Sequence, residues 1–115
     1  LLICRIFLKL GILKNTYRLF LLSSDLGKGS RLYNSGEFRA AFDVLAKYEN
    51  TEIGDELVSA ALAEIKYYLA LMYYYGQGVN KDVHVANSLF SESAYLGSEN
   101  AMKYVASKKE DRDQN

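Results

Sequence analysis

The residues able to do chemistry are few and scattered. His84 is the single histidine and Cys4 the single cysteine of the 115 residues. One cysteine excludes an intramolecular disulfide and a cysteine-rich zinc site, and it reads as a small buried hydrophobe. His84 has no cysteine near it in sequence, so no metal role is expected of it. Ser23, Ser24, Ser88 and Ser91 have only His84 to turn to as a base, which argues against a catalytic triad. Glu49, Glu52, Asp55 and Glu56 gather carboxylates ahead of a helix start. General acid–base work needs carboxylates in a cleft with displaced pKa values. An exposed loop before a helix suits capping and dipole roles instead. Gly76-Gln77-Gly78 superficially matches a phosphate loop, but it follows a helical pattern rather than a strand and lacks the Gly-Lys pair, so it reads as a turn. The expectation is a chain with no catalytic residues, no metal and no cofactor.

Tyrosine is the residue type in excess. There are ten, with no tryptophan and no proline. Tyr67, Tyr68, Tyr73, Tyr74 and Tyr75 fall in one helical stretch. On a 3.6-residue wheel, Tyr73 joins Ile65 and Leu69, while Tyr67, Leu71 and Tyr74 make a separate stripe. Tyrosine combines a large apolar body with a hydrogen-bonding tip, which is why it is enriched at interfaces. Tyr67, Leu71 and Tyr74 are therefore the candidate partner-binding residues, with Tyr67 and Tyr74 expected to serve binding more than folding. The competing reading packs these rings against the preceding helix pair with their hydroxyls in water.

The elements that must position these residues read as helices throughout. Lys plus Arg and Asp plus Glu balance at 14 each, so nothing electrostatic favours nucleic acid. Residues 1–22 are apolar but carry Arg5, Lys9, Lys14 and Arg18. Each of these charges would cost about 2.5–3.5 kcal/mol at a bilayer centre, which argues against a spanning helix. Ser23-Ser24 makes a poor cleavage site for a signal peptide. Gly11 divides the stretch into two short amphipathic helices, near 2–10 and 14–24. They read as a degenerate first helix pair or, alternatively, as an interfacial membrane segment. Around Gly36, Leu32-Tyr33 on one side and Phe38, Ala41, Phe42 and Leu45 on the other follow a helix–turn–helix rhythm. A long helix over 55–75 buries Val58, Leu62, Ile65, Leu69, Met72 and Tyr73. A second runs from about 82 to 95 and stops at Gly97, and a short last one spans 99–108. The tail Lys108-Lys109-Glu110-Asp111-Arg112-Asp113-Gln114-Asn115 lacks apolar anchors and should fray.

Residues 65–105 carry a denser pattern. Leu69, Tyr73, Gly76, Gly78, Val79, Asp82, Ala86, Phe90, Ala94, Gly97 and Ala101 stand in the order and spacing of a repeat, and Ile65 to Ala101 is 36 residues. This stretch resembles the Sel-one-like repeat family, a relative of the tetratricopeptide repeat. Ile65, Ala70 and Ser93 depart from it, standing where the family has alanine, glycine and alanine. The small alanines would let helices approach, Tyr73 and Phe90 would fill the space between them, and Asp82 would accept from free N–H groups at a helix start. The resemblance implies an all-α helical-repeat stack, an α/α solenoid of antiparallel helix pairs. Residues 1–24 would form its degenerate first pair or an amphipathic segment, 25–53 a tetratricopeptide-like pair, 54–108 the Sel-one-like repeat and closing helix, and 109–115 a disordered tail. It also implies an adaptor or scaffold whose concave face, lined by the Tyr67 stripe, binds another protein. The alternative is a membrane-associated accessory protein held at a membrane surface through residues 1–22. Composition permits either cytoplasm or periplasm.

Overall fold

A computed structural model describes the backbone of residues 2–51 and 56–113 and the side chains of residues 17–51 and 58–110. Among the described residues five α-helices follow one another: α1 (Leu2–Asn34), α2 (Phe38–Leu45, running into a 3-10 turn at Ala46–Tyr48), α3 (Glu56–Tyr75), α4 (Val83–Tyr95) and α5 (Glu99–Asp113). The protein is all-α, and no strand occurs among the described residues. The side chain of Cys4, residues 52–55 and the side chain of Glu56 lie outside the described residues, and with them most of the acidic cluster.

Three of the helix ends use one device. After α1 the Glu37 N–H donates to the Leu32 carbonyl at 2.9 Å and the Gly36 N–H to the Tyr33 carbonyl at 3.0 Å. After α3 the Gln77 N–H reaches the Met72 carbonyl at 2.9 Å, and after α4 the Ser98 N–H reaches the Ser93 carbonyl at 3.0 Å. Each end places a glycine with positive φ (Gly36, Gly76, Gly97) one residue before the donor that closes the larger ring. At the start of α4, Asp82 is the N-cap, and its carboxylate accepts from the Val85 N–H at 3.1 Å. These turns allow α2 to fold back on α1, α4 on α3 and α5 on α4, while α1 and α2 also pack against α3.

α3 is the hub. Val58, Leu62, Ile65, Leu69 and Met72 are buried, as expected, but so are Ala63, Lys66 and Ala70. A helix covered on several sides must be apolar nearly all round, and this one is. Ala86, Leu89 and Phe90 of α4 and Ala101 of α5 close the core on one side of it. Ala41 and Leu45 of α2 and Leu22 of α1 close it on the other. Alanine at 70, 86 and 101 is fully buried, in keeping with close helix approach.

Two boundaries differ from the sequence expectation. Gly11 does not divide the N-terminal stretch, because α1 is one helix of 33 residues. A glycine inside a helix costs only about 1 kcal/mol relative to alanine, which its long flanks outweigh. The tail expected to be disordered from 109 is helical as far as Asp113. Lys108, Lys109, Glu110 and Arg112 are good helix formers and extend α5 without apolar anchors.

Candidate functional site

α3 ends in a run of tyrosines, and the helices around it bring more. Tyr33 of α1 lies edge-on to Phe38 of α2 (ring centroids 5.2 Å apart) and to Tyr68 of α3 (5.3 Å). Tyr68 meets Tyr67 at 6.1 Å, and Tyr67 meets Phe90 of α4 at 6.0 Å. Phe90 in turn stacks on Tyr104 of α5 at 3.7 Å and touches Tyr74 at 6.3 Å. Tyr74 contacts Tyr75 at 4.9 Å and Tyr104 at 5.8 Å. One unbroken chain of rings therefore crosses all five helices. Edge-to-face and stacked pairs of this kind each contribute about 0.5–1.5 kcal/mol beyond their buried area.

Phe90 is buried, whereas Tyr33, Tyr67, Tyr68, Tyr74 and Tyr104 are half-buried and Tyr75 is 61% exposed. The Tyr33 hydroxyl donates to Gln77 Oε1 at 2.8 Å, which ties α1 to the Gly76–Gly78 turn. Burial raises the pKa of Tyr33, and Tyr67, Tyr75 and Tyr68 nearby add to the rise against the opposing Gln77 bond. Burial also raises Tyr67, helped by Glu64, Tyr68 and Tyr75. Four hydroxyls thus gather in one region of the surface. At the other end of the chain, the Lys108 ammonium stands 5.6 Å from the ring centres of both Tyr74 and Tyr104.

The expected partner-binding residues are brought together here, but they do not form a stripe apart from the core. Tyr67, Leu71 and Tyr74 are half-buried and pack against the same cluster as Ile65, Leu69 and Met72. The rings of Tyr67 and Tyr74 both bear on Phe90, so truncating them removes packing as well as surface. Tyr73, assigned to the core stripe, is half-buried with its ring edge on Phe42 at 5.7 Å. The residues missed from sequence are Tyr33 and Tyr104. The signal was present: Tyr33, Tyr68 and Tyr104 stand 35 and 36 residues apart, close to the Ile65–Ala101 interval.

The Gly76–Gly78 turn has a reason beyond its own geometry. Gly78 holds φ +75°, and a Cβ there would lie 2.5 Å from the Phe38 carbonyl carbon and oxygen and 2.7 Å from the Arg39 nitrogen. The turn is pressed against the first residues of α2, and the Arg39 guanidinium donates to the Gly78 carbonyl at 3.4 Å.

On another side of α3, a cavity of about 700 Å³ opens between Glu49, Thr51, Lys66, Ser91, Glu92 and Tyr95. Lys66 is only 5% exposed, and its ammonium donates to the Glu49 carbonyl at 3.0 Å and to Glu92 Oε2 at 2.5 Å. Burial raises the pKa of the Tyr73 hydroxyl, and the Glu49 carboxylate near it adds to the rise. The arrangement pins the 3-10 turn to α4 across α3. It places a buried ammonium between one carboxylate and one backbone carbonyl. His84, Ser23, Ser24, Ser88 and Ser91 are exposed, while Ser93 is buried and donates to the Ala63 carbonyl at 2.6 Å. Among the described residues, no three His, Cys, Asp or Glu side chains converge on a metal-sized site, and no helix is long and apolar enough to cross a membrane. Comparison with protein-family models, with curated proteins and with solved structures finds no match to this chain.

Proposed function

We propose that the chain is a non-enzymatic protein-binding adaptor of the helical-repeat kind, and that it engages its partner across the tyrosine-paved face. The carrying observation is the unbroken run of rings from Tyr33 to Tyr104 that ends in the exposed Tyr75. Rings held by their neighbours lose little further freedom on binding, and their hydroxyls offer hydrogen bonds to a partner backbone. The packing of α2 on α1, α4 on α3 and α5 on α4 suits a stack of the Sel-one-like type, in which such a face runs along one side. Tyr67, Leu71 and Tyr74 form its middle, and Tyr75 its most accessible point.

The test separates binding from folding. Tyr75→Ala removes an exposed ring and should leave the melting temperature near that of the parent chain. A partner crosslinked to the parent chain from its source cell should be lost or weakened at least tenfold with Tyr75→Ala. Loss of about 2 kcal/mol is usual for a tyrosine anchored at an interface centre. Undiminished capture by Tyr75→Ala and by Tyr67→Ala/Tyr74→Ala, both folded, would remove this face as the binding surface.

A further inference from the structure

Over residues 17–26, α1 is apolar on two opposite sides, and the body of the protein covers only one. Leu22 is buried, and Leu19 and Leu26 pack on the core. Tyr17 and Phe20 are 64% and 65% exposed, and Leu21 is exposed beside them. At 3.6 residues per turn the two groups lie about 180° apart round the helix. Tyr17 and Phe20 are three residues apart, and counting back from them in alternating steps of four and three meets Leu13, Leu10, Ile6 and Ile3 in the sequence. Scattered surface apolar residues need no explanation, but a sustained recurrence ending in two exposed aromatics marks a face that something covers.

Charge selects the occupant. Residues 1–24 hold Arg5, Lys9, Lys14 and Arg18 and not one carboxylate, so residues 25–115 carry ten cations against fourteen anions, a net −4. Asp25, the first carboxylate, accepts from the Tyr48 hydroxyl and lies within 3.9 Å of the Lys47 ammonium, so it is turned to the body. In the heptad register of that recurrence, Lys9 and Lys14 occupy the two flanking positions. A second copy joined along the same seam would set lysine against lysine, which disfavours self-pairing. An anionic lipid surface meets the same cations with opposite charge. It also accepts tyrosine and phenylalanine at headgroup depth, and it suits a basic apolar helix lying in its plane.

We propose that the outer side of α1 is a docking surface for an anionic membrane, on which the chain lies with Tyr17 and Phe20 inserted and Arg18 at the headgroups. This surface is distinct from the tyrosine-paved face, so neither reading depends on the other.

The experiment is flotation of the full chain with phosphatidylcholine vesicles, with and without phosphatidylglycerol. The chain should float with the phosphatidylglycerol vesicles and stay behind with phosphatidylcholine alone. Binding should fall about fivefold for each cation removed in Lys14→Gln and Arg18→Gln, and it should weaken as salt is raised. Tyr17→Ser/Phe20→Ser, at exposed positions, should abolish flotation without shifting the melting temperature. Failure to float with phosphatidylglycerol vesicles overturns the proposal, and so does equal flotation with both lipids at all salt concentrations. A parent chain that sediments as a dimer and becomes a monomer with Tyr17→Ser/Phe20→Ser also overturns it, because a second copy then covers the face.

Discussion

The two helix hairpins of this protein are built by different rules. α3 and α4 carry their instructions locally: a glycine turn, an N-cap carboxylate at Asp82, and buried alanines at 70 and 86 that bring the helices together. α1 and α2 do not. α2 has only eight residues, its N-cap Glu37 makes no side-chain bond, and it runs straight into a 3-10 turn. A helix that short has no stability of its own in water. It persists because Ala41 and Leu45 are buried against α1 and α3, and because its first residues are clamped by the Gly78 turn. The second hairpin thus supplies the surface on which α2 is held.

The strongest way to break that relation is at the clamp. Gly36 and Gly78 both hold positive φ, but a Cβ at Gly36 meets nothing within 4 Å, whereas one at Gly78 would strike the backbone of Phe38 and Arg39. Left-handed backbone costs a non-glycine residue about 1–2 kcal/mol, and overpacking adds about 1–3 kcal/mol. Gly78→Val should destabilise by about 3 kcal/mol or more, and Gly36→Ala by about 1 kcal/mol, read from urea midpoints at constant slope. Equal losses at the two sites would show that α2 yields readily and that the turn is no clamp.

A second tie runs through a buried ammonium, which joins Glu92 of α4 to the Glu49 carbonyl after α2. Lys66 of the second hairpin is buried, while its partner Glu92 is half exposed. Glu92→Ala leaves an ammonium in the interior with only the Glu49 carbonyl, at a cost of about 2 kcal/mol. Lys66→Met keeps the apolar stem and should come within about 1 kcal/mol of the parent chain. If Lys66→Met proves the more damaging of the two, the ion pair contributes net stability rather than relieving a burial cost.

These contrasts also account for what sequence alone could reveal. The all-helical class and the limits of α3 and α4 were legible because apolar periodicity, glycine turns and Asp82 all speak locally. The length of α1 was not. Gly11 signals a break to any propensity argument, and the helix overrides it. Gly29 likewise gave no hint that its missing side chain makes room for Leu45, since that proximity is tertiary. The candidate face was half legible: Tyr67 and Tyr74 stood out within one helix, whereas Tyr33 and Tyr104 join them only once α1 and α5 are in place.

The contact at Gly29 supplies a finer test of how the first hairpin is held. A Cβ on Gly29 would lie 2.5 Å from Leu45 Cδ2 and 2.6 Å from its Cγ, and Leu45 is fully buried. Alanine gains about 1 kcal/mol in helix propensity, which overpacking of about 1–3 kcal/mol outweighs. Gly29→Ala should therefore lower stability by about 1 kcal/mol. Leu45→Ala should cost about 3 kcal/mol in the parent chain but clearly less in the Gly29→Ala background, because the added methyl then occupies part of the cavity. Strict additivity would mean that α1 moves away from α2 and that the close approach is not what holds them.

The smallest expected effect is a dependence on alkaline pH, seated where the two hairpins meet. Burial pushes the Tyr48 hydroxyl up to about 12, reinforced by its bond to Asp25 of α1. Burial likewise pushes Tyr73 of α3 up to about 12, reinforced by the Glu49 carboxylate just after the 3-10 turn. Both are acids whose folded pKa lies above the unfolded value of 10.0. The folded chain therefore holds protons that the unfolded chain releases in the window between. The stability this linkage provides is fully present below pH 10 and is lost as pH rises through 12. Melting temperature should decline across that window, and Tyr48→Phe/Tyr73→Phe should start lower but decline less steeply. Absorbance titration of the folded chain should show Tyr48 and Tyr73 ionising near pH 12, and that phase should disappear in the double variant. If only the Tyr48 phase is delayed, the seam between the hairpins is open to water at Glu49, and α2 is held by α1 and the Gly78 clamp alone.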